Sequence, residues 1–318
     1  MQRHIWVASV IALFILNSCS PAARLLLYID PYEIEVLNGR GIGTRMLEQR
    51  LSKDVKIRVA VSPLLAEADP GLKHFADVVK RTRPEWIYLS PAHPFNPGDL
   101  APRYPDIRFF LVDPAGEAPP NRISVVYDRE QANFEAGRAI AALLGDADFL
   151  KRIGAAEAGA LTPRIGILVA ETNAKVESEI VAFMDGFSTL GSLDRIERKD
   201  IGNITDRVKA RRLLDGMSEE AVAIVLLKTY VLTGFCLEYL SKEGGLAVVD
   251  EPIPGQAYDN TVLLMLVDDF LGALNGILRY IEPDSQATRV ERVSAPVQLQ
   301  WSETYRSLAA RVLEGVNQ

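Results

Sequence analysis

Short apolar runs alternate with longer amphipathic stretches along most of the chain. The apolar runs lack strict polar alternation, which is typical of strands that are covered on both faces. Nine strands are predicted, at residues 25–29, 56–61, 85–89, 107–112, 123–127, 164–170, 196–201, 221–227 and 246–249. Helices are predicted between or after them, at residues 34–51, 72–81, 129–144, 174–190, 206–217, 231–242 and 267–280. This alternation predicts parallel βαβ units and an α/β fold.

One segment, 146–163, breaks this rhythm with many alanines and glycines, and we interpret it as a crossover insertion. Five predicted strands precede it and four follow, which predicts two doubly wound lobes joined by a hinge. Residues 289–300 are expected to return as a strand, and 301–316 to form a closing helix. The predicted divisions are a signal peptide at 1–18, an N-terminal lobe at 19–128, a C-terminal lobe at 129–255, and hinge return strands with closing helices at 256–318.

The N-terminus has the features of a secretory signal. A basic start is followed by an apolar run at 5–16, which is shorter than the roughly 20 residues that a membrane-spanning helix needs. The sequence LNSC at 16–19 is similar to a bacterial lipobox, in which the cysteine is acylated and becomes the mature N-terminus. We therefore expect lipidation at Cys19 and attachment to a membrane of the cell envelope; the alternative is an ordinary signal peptide.

Composition narrows the function classes. The chain is 48% hydrophobic and 24% charged, as in ordinary globular proteins, and its formal charge is −7, which becomes −8 without Arg3. This acidity argues against a nucleic-acid partner. With Cys19 acylated, Cys236 has no intrachain disulfide partner, and its apolar surroundings predict a buried thiol.

The ends of the predicted strands are the first places to look for a ligand, because open parallel sheets bind ligands beyond the carboxyl ends of their strands. With two lobes, these ends are expected to line a cleft. The residues there are Asp30, Tyr32, Ser62, the loop 90–95, Asp113, Glu171, Asn173, Asn203, the segment 228–230 and Asp250.

Several segments in order resemble the basic membrane protein family of bacterial lipoproteins. The resemblance is carried by YPDIRFFLVDP at 104–114, NRISVVYDREQANFEAG at 121–137, RIGIL at 164–168, FMDGF at 183–187 and VVD at 248–250. It implies a type I periplasmic-binding-protein fold. The resemblance also implies the family's role, which is to bind solutes for ABC importers. The family includes purine nucleoside receptors and riboflavin-binding relatives.

The chain departs from the family pattern where the ligand is expected. A Gly-rich loop of the family is replaced by bulky residues at 228–233, and the position of a family lysine falls on Asp268. The family's N-terminal Asp-x-Ser-Phe-Asn segment is not recognisable. The resemblance therefore implies a remodelled pocket, and a purine nucleoside is not carried over directly.

Two kinds of side chain are candidates for ligand contact. Asp30, Asp113, Glu171, Asn173 and Asp250 could accept hydrogen bonds, with Asp250 placed to accept two from a vicinal diol. The aromatic candidates for stacking on a planar ligand are Tyr32, Phe95, Tyr127, Phe183 and Tyr230.

Two of the candidate residues have open alternatives. Phe183 could instead pair with Phe187 in the core. Lys228 could bind an anionic ligand, pair with a carboxylate, or remain in solvent. Asn203 is expected to cap the next helix, and Asp268 with Asp269 is expected to face solvent. His93 alone does not make a metal site, and no metal or cofactor is expected.

No catalytic motif is recognisable in the sequence, which favours binding without turnover. The leading hypothesis is a lipid-anchored solute-binding component of an ABC importer, whose lobes close on a nucleoside or flavin and whose partners are permease subunits. One alternative is a surface interaction lipoprotein that kept the fold and lost the ligand. The other is a nucleoside-processing enzyme, which would need clustered carboxylates.

Overall fold

The structure, a computed structural model, describes residues 23–49, 55–63, 68–91, 93, 95–112, 120–154, 163–250, 258–281 and 292–316. The predicted signal, Cys19 and Asp113 lie outside the described residues. Two compact units are present: Met1–Val126 with Phe270–Ser294, and Tyr127–Asp269 with Ala295–Gln318. No helix in the described ranges is both long and apolar enough to cross a membrane.

The described residues form twelve strands and ten α-helices. The strands are β1 Ala23–Ile29, β2 Val55–Val61, β3 Trp86–Leu89, β4 Arg108–Val112, β5 Arg122–Tyr127, β6 Arg164–Val169, β7 Ile196–Asp200, β8 Val222–Lys228, β9 Leu246–Val249, β10 Val262–Asp268, β11 Arg292–Ala295 and β12 Val297–Trp301. The helices are α1 Pro31–Gly39, α2 Thr44–Glu48, α3 Ala68–Thr82, α4 Arg129–Leu143, α5 Ala147–Arg152, α6 Ala174–Ser188, α7 Arg207–Glu219, α8 Thr233–Glu243, α9 Phe270–Ile281 and α10 Glu303–Val316.

The first unit is built on a six-stranded sheet with the order β11-β5-β4-β3-β1-β2. Strands β1 to β5 pair in parallel, and residues 25–29 of β1 are buried, as their uninterrupted apolar sequence predicts. On one face Tyr28 packs edge-on against Phe75 at 5.1 Å between ring centroids. Elsewhere in the unit Trp86 stacks on Phe110 at 5.4 Å, and Tyr280 of α9 meets both rings edge-on.

The second unit has a matching sheet with the order β12-β10-β9-β8-β6-β7, in which only β12 is antiparallel to its neighbour. Helices α4 and α6 pack closely through two glycines. A Cβ added at Gly137 would overlap the carbonyl oxygen of Phe183, and one added at Gly186 would overlap that of Phe134. Cys236 is buried on α8, and burial raises the pKa of its thiol to about 12.

The predicted α/β architecture is confirmed, and the differences are local. The predicted helix at 34–51 is two helices, α1 and α2, because Gly41 takes a left-handed conformation between them. The predicted insertion begins with the short helix α5, whose N-terminus is capped by Asp146. Asn203 accepts from the N–H of Thr205, and Asp206 rather than Asn203 caps α7.

The C-terminal quarter differs most from the prediction. Strand β10 at Val262–Asp268 was not expected, and the predicted single strand at 289–300 is two strands that belong to different sheets. Residues 256–318, predicted as hinge return strands and closing helices, are shared between the units: Phe270–Ser294 belongs to the first, and the flanking residues belong to the second.

Candidate functional site

Five charged side chains meet at the carboxyl ends of the second sheet. Lys228 is the last residue of β8, Asp250 follows β9, and Asp268 ends β10. Arg129 is the first residue of α4, and Glu179 lies in the second turn of α6. These five residues, called here the strand-end ion network, gather because parallel strands place their carboxyl ends at one edge of the sheet.

The network is centred on Asp250. The Lys228 ammonium lies 2.6 Å from Glu179 Oε2 and 3.0 Å from Asp250 Oδ2. Arg129 Nη2 donates to Asp268 Oδ2 at 2.8 Å, and Arg129 Nη1 donates to the backbone oxygen of Asp250 at 3.0 Å. Arg129 Nη1 is also 3.2 Å from Asp250 Oδ1. Two cations from separate elements therefore hold one carboxylate in place.

The charge balance of the network leaves hydrogen-bond acceptors in excess. Three carboxylates face two cations, so the group carries a formal charge of −1 when all five are ionised. Asp250 Oδ1 and Asp268 Oδ1 accept no hydrogen bond from the described residues. The side chains of Asp250 and Asp268 remain 20% and 30% exposed, whereas that of Lys228 is 1% exposed. Both of these oxygens are buried, so the unmet acceptor capacity lies inside the network.

Burial and the neighbouring charges shift the pKa values of the network. Burial alone would lower the pKa of Arg129, but Asp250 and Asp268 outweigh it and raise this pKa well above the usual range. Burial raises the pKa of Asp268, an effect that Arg129 opposes. Arg129 therefore stays charged, and its positive charge offsets the repulsion between the carboxylates of Asp250 and Asp268.

Tyr230 lies next to this network in an unusual backbone conformation. Its φ of 47° is in the left-handed region, which costs a residue other than glycine about 1–2 kcal/mol, and the residue is 47% exposed. Burial, Glu179 and Asp250 together raise the pKa of its hydroxyl. An exposed aromatic ring held with backbone strain beside a buried polar cluster is typical of functional positions.

The strand ends of the first unit carry a mostly uncharged polar cluster. His93 lies between two serines, with Nε2 3.3 Å from Ser90 Oγ and Nδ1 3.3 Å from Ser62 Oγ. Its ring stacks on Phe95, with 5.1 Å between centroids and 4° between planes. Ser90 Oγ accepts from the backbone N–H of Asp30 at 2.7 Å, and the Asp30 carboxylate caps α1 by accepting from Glu33.

His93 gives a testable pH dependence. Burial lowers the pKa of His93 to about 4, against 6.5 for a free imidazole, although Asp30 opposes the shift. Between these values the unfolded chain binds a proton that the folded chain does not, so stability rises with pH there. We expect the native protein to lose up to about 3 kcal/mol of unfolding free energy as the pH falls from 6.5 to 4.

The check is urea unfolding across that pH range for the native protein and for His93→Gln. The difference in unfolding free energy between the two proteins should change with pH only below about 6.5, because glutamine binds no proton in that range. A difference that stays constant from neutral pH to pH 4 would contradict a neutral, buried His93.

The predicted site residues fall into three groups. Lys228 and Asp250 are in direct contact, and Tyr230 lies beside them. Tyr32, Glu171 and Asn173 are exposed at strand ends, with Asn173 capping α6 through the N–H groups of Lys175 and Val176. The rest are buried, and they are Asp30, Phe95, Tyr127 and Phe183.

Two expectations need correction. Phe183 is fully buried in the core of the second unit, where it packs at the contact of α4 and α6, so its ring offers no surface to a ligand. Asp268 was expected to face solvent, but it forms an ion pair with Arg129.

Sequence reasoning missed Arg129, Glu179 and the pairing role of Asp268. Arg129 follows β5 by two residues, so inspection of strand ends could have found it. Glu179 lies inside a helix, and nothing in its local sequence distinguishes it from a solvent-facing carboxylate.

Comparisons with known proteins bear on the fold. No family model and no curated protein matches the chain. A solute-binding protein of an ABC transporter system from Aeropyrum pernix K1 matches with a TM-score of 0.57 at 15% identity, covering 93% of this chain and 80% of the other. A glucose-galactose binding protein from Geobacillus stearothermophilus matches with a TM-score of 0.54 at 13% identity, covering 89% and 99%. The chain has the type I periplasmic-binding-protein fold.

The same fold serves different functions among these neighbours. A transcriptional activator of the comK gene from Bacillus halodurans matches with a TM-score of 0.59 at 15% identity, covering 93% of this chain and 96% of the other. At such low sequence identity, a shared periplasmic-binding-protein fold does not identify the ligand. The resemblance to the basic membrane protein family stays a prediction.

Proposed function

We propose that this protein is a lipid-anchored solute-binding component of an ABC importer, which captures a small polyhydroxylated solute of the nucleoside or flavin class. The observation that carries the proposal is the state of Asp250. Its carboxylate is fixed by Lys228 and Arg129 at a strand end, and its side chain stays 20% exposed. A carboxylate that is held in a fixed position and is still partly exposed suits a solute that donates hydroxyl groups.

The charge of the strand-end ion network narrows the solute class. Lys228 and Arg129 are both occupied by carboxylates, and the network carries one excess negative charge. A phosphate group would meet repulsion there, whereas hydroxyl donors would meet acceptors. The proposed solute is therefore a nucleoside, flavin or sugar without phosphate, and Tyr230 supplies a ring that can stack on a planar portion.

The polar cluster of the first unit supports binding rather than turnover. Both ring nitrogens of His93 contact serine hydroxyls, so no carboxylate orients the imidazole as a catalytic base. The same groups, a neutral imidazole and two hydroxyls, suit hydrogen bonding to an uncharged solute. We infer no reaction from them.

The proposed membrane attachment would place solute binding next to the permease. Acylation of Cys19, predicted from LNSC at 16–19, would tether the protein close to the permease and raise its local concentration there. Hinge closure around the solute stays a prediction, and small-angle scattering with and without solute would test it.

A solute panel tests the proposal directly. Thermal shift and native mass spectrometry should be run with nucleosides, their monophosphates, riboflavin and neutral sugars. A solute at 100 times its Kd should stabilise the protein by about 2.7 kcal/mol, and a nucleoside should bind more tightly than its monophosphate. A folded protein that binds none of these solutes would favour the alternative, a surface interaction lipoprotein that kept the fold.

The role of Asp250 can be measured once a solute is found. Asp250→Asn should weaken solute affinity by about 10- to 100-fold, because a hydrogen bond to a charged group contributes about 1.5–3 kcal/mol. Isothermal titration calorimetry gives the Kd. Asp185→Asn, which changes an exposed carboxylate on α6 in the same unit, is the matched control and should leave the Kd unchanged. Equal affinities of the two variants would remove Asp250 from the site.

A further inference from the structure

Ion pairs are unevenly distributed over the described part of the chain. The salt bridges found there all lie in the second unit, where acidic and basic side chains are matched. The first unit instead carries exposed cations, at the amino ends of its strands and the end of α3, that form no salt bridge with a described carboxylate. We call this group the amino-edge patch, and its members are Arg24, Lys56, Arg58, Arg81, Arg83 and Arg108.

The strand register brings these cations together. Arg24 of β1 pairs with Lys56 of β2, and Arg58 lies two residues further along β2 on the same face. Arg24, Lys56, Arg58 and Arg81 line one groove of about 540 Å³, and no carboxylate is among its described lining residues. Arg24 Nη1 also reaches the backbone oxygen of Arg83 at 3.5 Å.

The patch continues along the sheet edge to an aromatic residue. Trp86 pairs with Leu25 on one side and with Arg108 on the other. The Arg108 guanidinium lies over the Trp86 ring, 4.9 Å from its centroid. Glu85, exposed just before this strand, is a carboxylate that interrupts the edge. Tryptophan with arginine is a combination that favours membrane interfaces.

The chemistry of the patch is unexpected for this protein. The whole chain carries a formal charge of −7, yet six cations gather on one edge without a salt bridge to a described carboxylate. Holding like charges together costs free energy, and an anionic surface would repay that cost. An anionic bilayer attracts a basic segment by about 1 kcal/mol for each cation near it.

The position of the predicted lipid anchor indicates that the anionic surface facing the patch is a membrane. Strand β1 begins at Ala23, only four residues after Cys19. An extended chain of that length spans at most about 14 Å, which is close to the distance over which charges act in salt solution. An anchor at Cys19 would therefore hold Arg24 and its neighbours close to the lipid headgroups.

We infer that the amino-edge patch is a membrane-docking face that binds anionic phospholipid headgroups and sets the orientation of the anchored protein. The inference rests on the lipid anchor of the proposed function and adds a second attachment to it. A basic surface is a common companion of a lipid anchor, and here it would set which edge of the protein faces the membrane.

Vesicle flotation of the full chain tests the inference. Binding is compared on vesicles of phosphatidylcholine alone and on vesicles that also contain phosphatidylglycerol. Binding to the neutral vesicles reports the N-terminal anchor, and the additional binding to anionic vesicles reports the patch. We expect this additional binding to weaken strongly at about 0.5 M salt, where charges are screened within a few ångströms.

Two matched triple variants assign the effect. Arg24→Gln with Lys56→Gln and Arg58→Gln removes three cations from the patch. Lys209→Gln with Arg211→Gln and Arg212→Gln removes the same residue types from the exposed face of α7. The patch variant should lose on the order of 100-fold in partitioning to anionic vesicles, about fivefold per cation, and should keep its binding to neutral vesicles. The α7 variant should behave as the native chain does.

Chemical labelling gives a second measurement that needs no variant. Lys56 and Lys209 are both exposed, so both should be acylated by an amine reagent on neutral vesicles. On anionic vesicles Lys56 should be protected and Lys209 should not. The docking face would be contradicted if the two triple variants lost binding equally, or if Lys56 were labelled equally on both kinds of vesicle. Neither result would bear on the lipid anchor. Weak binding to neutral vesicles would instead count against the anchor.

Discussion

Replacing Lys228 by methionine is expected to lower the free energy of unfolding by about 3–5 kcal/mol, since it leaves buried carboxylates without their cation. The Lys228 ammonium contacts both Glu179 and Asp250, and its side chain is 1% exposed. Asp250 keeps Arg129 as a partner, but the Glu179 side chain, 4% exposed, loses the ammonium that balances it. Methionine fills a similar volume, so lost packing contributes little to the change. Urea unfolding measures the effect, with the slope checked for two-state behaviour.

Two further variants separate buried charge from general sensitivity to substitution. Lys242→Met removes an ammonium that is 68% exposed and pairs with Glu238 one turn away, so it should cost less than about 0.5 kcal/mol. Adding Glu179→Gln to Lys228→Met should recover part of the loss, because the orphaned charge is then removed as well. A cost below about 1 kcal/mol for Lys228→Met would mean that water reaches Glu179.

The sequence predicted the backbone of this fold well for a physical reason. Strands that are covered on both faces need continuous apolar runs, and nine such runs were visible, including the one that became β9 at Leu246–Val249. Strand β10 was missed because its apolar residues run almost directly into α9, with only Asp269 between the two elements. A short apolar run beside a helix cannot be assigned from periodicity alone.

The candidate site was predictable only in part. Asp250 and Lys228 follow from the rule that ligands bind at strand ends. Their partners do not, because Glu179 comes from a helix and Arg129 from a distant part of the chain. The family resemblance placed a lysine at the position of Asp268, but the structure has a carboxylate there that pairs with Arg129. Such pairings become visible only when side chains are placed.

The amino-edge patch was missed for a different reason. Its six cations come from separate segments, and no run of basic residues marks them along the chain. Parallel pairing of β1 with β2 and β3, and of β3 with β4, gathers them at one edge. A charged surface of this kind is a property of topology rather than of local sequence.

Replacing Gly137 or Gly186 by alanine is expected to destabilise the second unit by about 3 kcal/mol or more for each substitution. Helices α4 and α6 approach so closely that a Cβ at Gly137 would overlap the Phe183 carbonyl oxygen and lie 2.9 Å from Phe187 N. A Cβ at Gly186 would overlap the Phe134 carbonyl oxygen in the same way. These are backbone atoms, so no side-chain rotation relieves the overlap, and the two helices must separate.

Two other glycines serve as controls, because alanine at these positions is expected to have the opposite effect on stability. Gly216 lies in α7 and Gly234 in α8, and an added Cβ at either position meets nothing within 4 Å. Alanine there should stabilise the protein by about 0.5–1 kcal/mol, since it restricts the unfolded chain without a clash. Thermal or urea unfolding of the four single variants compares the two pairs directly. A neutral Gly137→Ala would mean that α4 and α6 lie further apart than the structure places them.

The double variant tests whether the two glycines act on one helix contact. Once α4 and α6 have moved apart to accept the first Cβ, the second Cβ meets less resistance. Gly137→Ala with Gly186→Ala should therefore cost clearly less than the two single effects added together, as expected for neighbouring residues that share one structural adjustment. Strict additivity would indicate two independent clashes. The segments 121–137 and 183–187, which carried the family resemblance, contain these two glycines, so that part of the resemblance follows from helix packing and need not reflect a shared ligand.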